Sequence, residues 1–261
     1  STMRGGVADQ AGGTGAHRVE QVMGIPVGID VRATGAGEPA IDLAFTRLRA
    51  IDAAFSTYRP GSDISRIGRG TLALADAHPD VRAVLARCEA LRAQTGGWFD
   101  VAAAGRLDPA AFVKGWAVDE AARILVAAGA RSLCIHAGGD VRVLGERSAG
   151  LPWRIGVQHP LRGDRVAAVL EGRDLAVATS GAYERGPHVV DPHTGRPPDG
   201  VLSVTVAGPD LGTADAYATA AFAMGLDGPV WTATLEGFEA LTILADGRVL
   251  STPGMARLRG D

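Results

Sequence analysis

The chain has 261 residues, of which 46% are hydrophobic and 21% charged, and its formal net charge is −3. That balance describes a folded globular protein of one or two domains and excludes a disordered, fibrous or coiled-coil chain. The longest stretch without Asp, Glu, Lys or Arg is eleven residues, 216–226, short of the ~20 apolar residues a spanning helix needs. A weakly acidic chain also offers no clustered cations to hold nucleic acid or anionic lipid.

Residues 1–16, rich in Gly and Ala, predict a flexible leader ahead of a single domain over 17–261. With Met3 as the native start, the residues after it lack the basic and apolar segments of an export signal, which predicts a cytoplasmic protein; a start further upstream leaves export open. Apolar and polar positions alternate over 17–32 around Met23, Ile25, Val27, Ile29 and Val31, a strand pattern. Ile41, Phe45, Leu48, Ile51 and Phe55 recur on one face of a helix over 39–55, which stops before Pro60-Gly61.

A second helix is predicted over 80–95, closed by Gly96-Gly97, and a third over 114–129. Strands at 132–137 and 141–145 flank Gly138-Gly139-Asp140 and read as a hairpin. A Pro, Gly and Arg-rich patch covers 149–165; strands follow at 166–170, 175–179, 188–190 and 202–207, then a helix over 213–225. A closing hairpin pairs 241–245 with 248–251. Hairpin-like strand groups with helices between them, without regular βαβ alternation, predict an α+β fold with mainly antiparallel sheet.

Cys88 and Cys134 lie in apolar surroundings without metal-ligand or CxxC spacing and read as buried thiols. Lys114 is the single lysine among 26 basic residues. Codon bias toward Arg explains the rarity of lysine without function, but a site that needs a compact ammonium cannot accept a planar guanidinium. Leu107-Asp108-Pro109-Ala110-Ala111-Phe112-Val113-Lys114 runs a loop into the third helix, where small residues and a helix N-terminus suit an anionic group.

Thr213-Ala-Asp215-Ala-Tyr-Ala-Thr219 opens a helix with Thr213 as the candidate N-cap. Asp215 and Thr219 stand one turn apart on one face, hard oxygen donors that suit Mg²⁺. The same pair also fits a carboxylate answering the helix dipole and a hydroxyl bonded back to a carbonyl. His188 and Asp191 bracket a short segment leading into Pro192-His193-Thr194-Gly195. His188 reads either as a proton acceptor or as a strand end, and Asp191 as an Asx-turn residue. Ser180 lacks the GxSxG setting of a serine hydrolase.

Six segments in order resemble the signatures of the ApbE family of FAD:protein FMN transferases: Phe55-Ser-Thr-Tyr-Arg-Pro-Gly-Ser-Asp-Ile-Ser-Arg-Ile67, Gly97-Trp-Phe-Asp100, Lys114-Gly-Trp-Ala117, Gly138-Gly-Asp140, His188-Val-Val-Asp-Pro-His-Thr-Gly195 and Thr213-Ala-Asp-Ala-Tyr-Ala-Thr219. The resemblance runs from about Val19 to Leu250 and implies a T-fold-like architecture that takes FAD as substrate and Mg²⁺ as cofactor. It implies that Met23, Tyr58, Trp98, Phe99, Asp100, Asp108, Lys114 and the backbone near Val189 contact FAD. It further implies that the Ala111 carbonyl, Asp215 and Thr219 hold the metal, that His188, beside the reacting phosphate, is the catalytic base, and that Lys114 is catalytic as well as FAD-binding.

The implied activity moves FMN from FAD to a Thr or Ser hydroxyl of an acceptor protein and releases AMP. Water as acceptor would make the chain an FAD pyrophosphatase, and motifs that only hold FAD would make it a binding protein. Three positions depart from the family pattern: His136 stands where Asn is common before Ala-Gly-Gly-Asp, Pro109-Ala110-Ala111 replaces a glycine pair, and Ala218 stands where some members carry a carboxylate. The last argues against a second metal ion.

Overall fold

The structure, a computed structural model, describes residues 15–32, 37–181 and 189–260. It opens with strands β1 (Ala16–Val22) and β2 (Ile25–Val31). These form a hairpin where the alternation of 17–32 suggested one continuous strand, because Met23 and Gly24 both take positive φ, 56° and 72°. A two-residue turn of that kind matches strand twist. Methionine is an uncommon occupant of left-handed backbone, so the break carries no strong signature.

Helices α1 (Glu38–Phe55), α2 (Asp63–Gly68), α3 (Pro79–Gln94) and α4 (Ala110–Ala127) follow. Helix α4 begins a turn earlier than the residue pattern indicates, which places Lys114 inside it. The hairpin of β3 (Leu133–Ala137) and β4 (Asp140–Leu144) forms as expected. The patch at 149–165 contains a strand, β5 (Trp153–His159), and the start of β6 (Arg162–Gly172). Trp153, Ile155 and Val157 alternate inward along β5, a pattern masked by the neighbouring turn-forming residues.

β7 (Asp174–Gly181), β8 (Val201–Gly208), α5 (Leu211–Ala223), α6 (Gly228–Thr232), β9 (Glu239–Leu244), β10 (Val249–Ser251) and α7 (Met255–Leu258) complete the chain. The expected strand at 188–190 does not form at Val189 and Val190, and His188 lies outside the described residues. No helix among the described residues is long and apolar enough to cross a membrane.

Eight strands make one antiparallel sheet in the order β1-β2-β3-β4-β7-β8-β9-β10, and β5-β6 forms a separate ribbon. On one face, Phe45 and Leu48 of α1, Leu125 of α4 and Ala214 and Ala221 of α5 pack on Ile29, Ile135 and Val204 of the sheet. On the other, Trp153, Ile155 and Leu170 of the ribbon and Met255 cover Val143, Leu175 and Ile243. Each large apolar side chain so buried contributes about 1.5–3 kcal/mol. Cys88 and Cys134 are free and buried, and burial pushes both thiols up to about 12.

Register gathers several loops at one end of the sheet. Val22 faces Ile25 across the first turn, Ala137 faces Asp140 across the second, and Gly181, facing Ser203, ends β7 at the same side. Against this end, α4 and α5 cross so closely that a Cβ on Gly115 would overlap the Leu211 carbonyl. In an open helix Gly→Ala gains about 1 kcal/mol, whereas overpacking costs ~1–3 kcal/mol. Gly115→Ala is therefore expected to lower the urea midpoint; a raised midpoint would contradict the crossing.

Candidate active site

Lys114 and Asp215 each occupy the fifth position of their helix, α4 and α5. The crossing brings the Lys114 Nζ to 3.6 Å from Asp215 Oδ2. Asp140, the first residue of β4, completes the group: its Oδ2 lies 2.8 Å from the same nitrogen, and its Oδ1 accepts the Thr179 N–H at 3.1 Å. One turn beyond Asp215, the Thr219 hydroxyl sits 3.2 Å from the Ser180 hydroxyl of β7. Asp140 and Asp215 are buried, and Lys114 keeps about a quarter of its side chain in solvent.

Two buried carboxylates thus face one ammonium. Such a group stabilises a fold weakly, because desolvating the charges offsets their attraction, and clusters of this kind concentrate at functional sites. Among the described residues no group of three or more His, Cys, Asp and Glu converges on a common point. The donors here are instead carboxylate and hydroxyl oxygens, few in number and hard. They fit Mg²⁺, which keeps waters and substrate phosphate in its shell and needs only one or two protein carboxylates. Ala111 lies in the first turn of α4.

The start of α5 is held from two sides. The N-cap is Asp210, whose Oδ1 accepts the Thr213 N–H at 2.8 Å; Thr213, the cap suggested by the motif, is the residue being capped. Asp119 of α4 accepts the Leu211 and Gly212 N–H groups through Oδ2 at 2.9 and 3.0 Å, and its Oδ1 lies 3.5 Å from Arg142 Nε.

The remaining candidate residues lie on loops and turns. Met23 occupies the β1-β2 turn, and Tyr58 is 82% exposed. The Phe99 ring belongs to the core and its N–H bonds to Thr95 Oγ1 at 2.9 Å. Trp98 packs on His193 with ring centroids 4.4 Å apart. Asp100 accepts the Ala102 N–H at 2.8 Å, and Asp108 accepts the Ala110 N–H at 3.2 Å at the entry to α4.

Asp191 forms the expected Asx turn, taking the His193 N–H and the Thr194 hydroxyl at 2.8 Å each, while Val189 packs on the main core. The structure therefore joins Lys114 with Asp215 and, through Ser180, places Thr219 beside the same strand end. His136 faces away from this group, on the side of the sheet that Cys134 shares, above Gly28. Burial and nearby His17 push its pKa down.

Asp140 had no role assigned from the motifs, since Gly138-Gly139-Asp140 reads as an ordinary turn. Its signal was the acidic residue closing that turn. Asp119 had none at all, because its partners are 92 and 93 residues away.

The sequence profile of the ApbE family matches residues 23–106 and 102–242, and the chain belongs to that family. It is 39% identical over 163 residues to the FAD:protein FMN transferase of Rhodobacter capsulatus, an alignment covering 59% of this chain and 31% of the relative. It is 32% identical over 149 residues to the Escherichia coli protein of the same name, covering 53% and 42%. The chain thus spans less than half the length of these curated relatives.

In fold it is similar to the ApbE protein of Thermotoga maritima, with a TM-score of 0.83, 24% identity and coverage of 95% and 100%. The flavin transferase ApbE of Vibrio cholerae gives a TM-score of 0.83, 23% identity and the same coverage. The α+β architecture expected from the residues matches these folds.

Burial pushes the Asp119 carboxyl up to about 6 and nearby Asp210 adds to the rise, against the Gly212 and Leu211 N–H groups and Arg142. Because the folded value exceeds the ordinary 3.8 of a free aspartate, the proton's contribution to stability is full below that value and is lost as pH rises through about 6. At 1.36 kcal/mol per pKa unit the loss is about 3 kcal/mol. Wild type should lose about 2 kcal/mol of this stability relative to Asp119→Asn between pH 4 and 6.5 in urea titrations; parallel profiles would contradict it.

Proposed function

We propose that the chain transfers the FMN moiety of FAD to a Thr or Ser hydroxyl of an acceptor protein, in a Mg²⁺-dependent reaction that releases AMP. The observation that carries this reading is the Lys114 ammonium set between buried Asp140 and Asp215 at the crossing of α4 and α5. Membership of the ApbE family and relatives named FAD:protein FMN transferase support it.

In this reading Lys114 reaches the diphosphate of FAD and offsets the charge that gathers on the transferring and leaving oxygens. Asp140 holds the ammonium in place. A cation held by Asp215, Thr219 and the Ala111 carbonyl would supply Lewis-acid neutralisation of the same oxygens. Met23, Tyr58, Trp98, Asp100, Asp108 and Val189 form the walls around the flavin and its phosphates, with Phe99 anchoring the Trp98 segment from the core. The acceptor oxygen bonds to the FMN phosphorus as the bond from that phosphorus to the AMP oxygen breaks, and His188 takes the hydroxyl proton.

The test is incubation of the full chain with FAD and Mg²⁺, with and without a Thr-containing acceptor, followed by AMP quantitation and acceptor mass. One FMN per acceptor, equimolar AMP and loss of both with EDTA are expected. His188→Ala should lower transfer by ~10² to 10⁴-fold while FAD still binds. Equal AMP without acceptor would replace the reading with hydrolysis, and retained yellow colour with no AMP in any tube would reduce the chain to an FAD-binding protein.

A further inference from the structure

Helices α4 and α5 run antiparallel at their crossing, since Lys114 meets Asp215 while Asp119 meets Leu211 and Gly212. Two pins therefore hold the pair. One is the charged group at Lys114. The other is Asp119, five residues or about 7.5 Å further along α4, and Gly115 between them lets the backbones close.

The first N–H groups of a helix have no partner within it. In α5 the third is taken by Asp210, the local cap, and the first two go to a single oxygen of Asp119 on another helix. Arg142 fixes the second Asp119 oxygen and is itself tied to Asp174 at 2.6 Å and to the Val143 carbonyl at 2.7 Å, so the pin is referenced to the sheet.

We propose that Asp119 is a positioning residue, setting the axial position of α5 so that Asp215 and Thr219 stand where a divalent cation can bind beside Lys114. The proposal rests on the reading of Asp215 and Thr219 as cation-holding residues. Asp119 touches neither substrate nor cation; it acts through the Leu211 and Gly212 amides. The charged groups facing it are Asp210 from α5 and Arg142 from β4, with Asp174 of β7 behind Arg142. Burial raises the cost of holding a carboxylate there, which local capping of α5 by Asp210 does not require.

The probe is Mn²⁺, titrated into the full chain and followed by electron paramagnetic resonance. Asp119→Ala should bind Mn²⁺ ~10–100-fold more weakly than wild type, the range seen when an orienting partner of a metal ligand is removed. Asp119→Asn, whose amide oxygen still accepts both N–H groups while its NH2 gives up the Arg142 contact, should bind clearly more tightly than the Ala variant. Should Asp119→Ala fail to fold, Asp119→Ser, one bond short of both amides, takes its place with the same expectation. Wild-type affinity in the Ala or Ser variant overturns the proposal, as does an Asn variant as weak as they are. Wild-type Mn²⁺ binding that disappears in Asp215→Ala upholds the cation reading independently of Asp119, whereas no binding by wild type overturns both.

Discussion

The close antiparallel crossing of α4 and α5 is the constraint from which the site follows. Gly115 has no side chain to hold the Leu211 carbonyl away, and across that close contact Lys114 of one helix reaches Asp215 of the other. The crossing is also where backbone donors at the start of α5 find Asp119. Small residues continue along α5, with Ala214, Ala216, Ala218, Ala220 and Ala221 all buried, so the helix lies close to its neighbours along its length. A single packing decision therefore fixes the position of a cation, two carboxylates and a hydroxyl.

Around that rigid centre the sheet supplies what the helices cannot. Asp140 reaches Lys114 because the Gly138-Gly139 turn starts β4 at the same end of the sheet where β7 delivers Thr179 and Ser180. A buried carboxylate paired with an ammonium and a backbone N–H is costly to assemble and adds little net stability. In the proposed reaction its value lies in holding a fixed ammonium against the phosphate charge of FAD. The aromatic and loop residues proposed for the flavin, Trp98 with His193 and the exposed Tyr58, belong to the connections and can vary without disturbing the centre.

Much of this was legible in the residues. The apolar stripe of α1, the glycine closure after α3 and the β3-β4 and β9-β10 hairpins rest on local periodicity and turn chemistry, and each formed within a few residues of expectation. Lys114, rare by composition, and Asp215 with Thr219, paired by helical spacing, were visible as candidates. What escaped depends on distance or on atypical local chemistry. Met23 turns the chain where a glycine or asparagine is the usual marker, and β5 hides its alternation among turn formers. Asp210 and not Thr213 caps α5. The roles of Asp119 and Asp140 exist only through residues dozens of positions away, and no periodicity encodes such a pairing. His188 lies outside the described residues, so its part rests on the motif resemblance.

The most direct test of the central claim is a crystal structure of the full chain with FAD and Mn²⁺, read from the manganese anomalous signal. The account predicts a peak about 2 Å from oxygens of Asp215 and Thr219, with the diphosphate of FAD against Lys114. A manganese peak remote from α5, or a diphosphate bound away from Lys114, would contradict it.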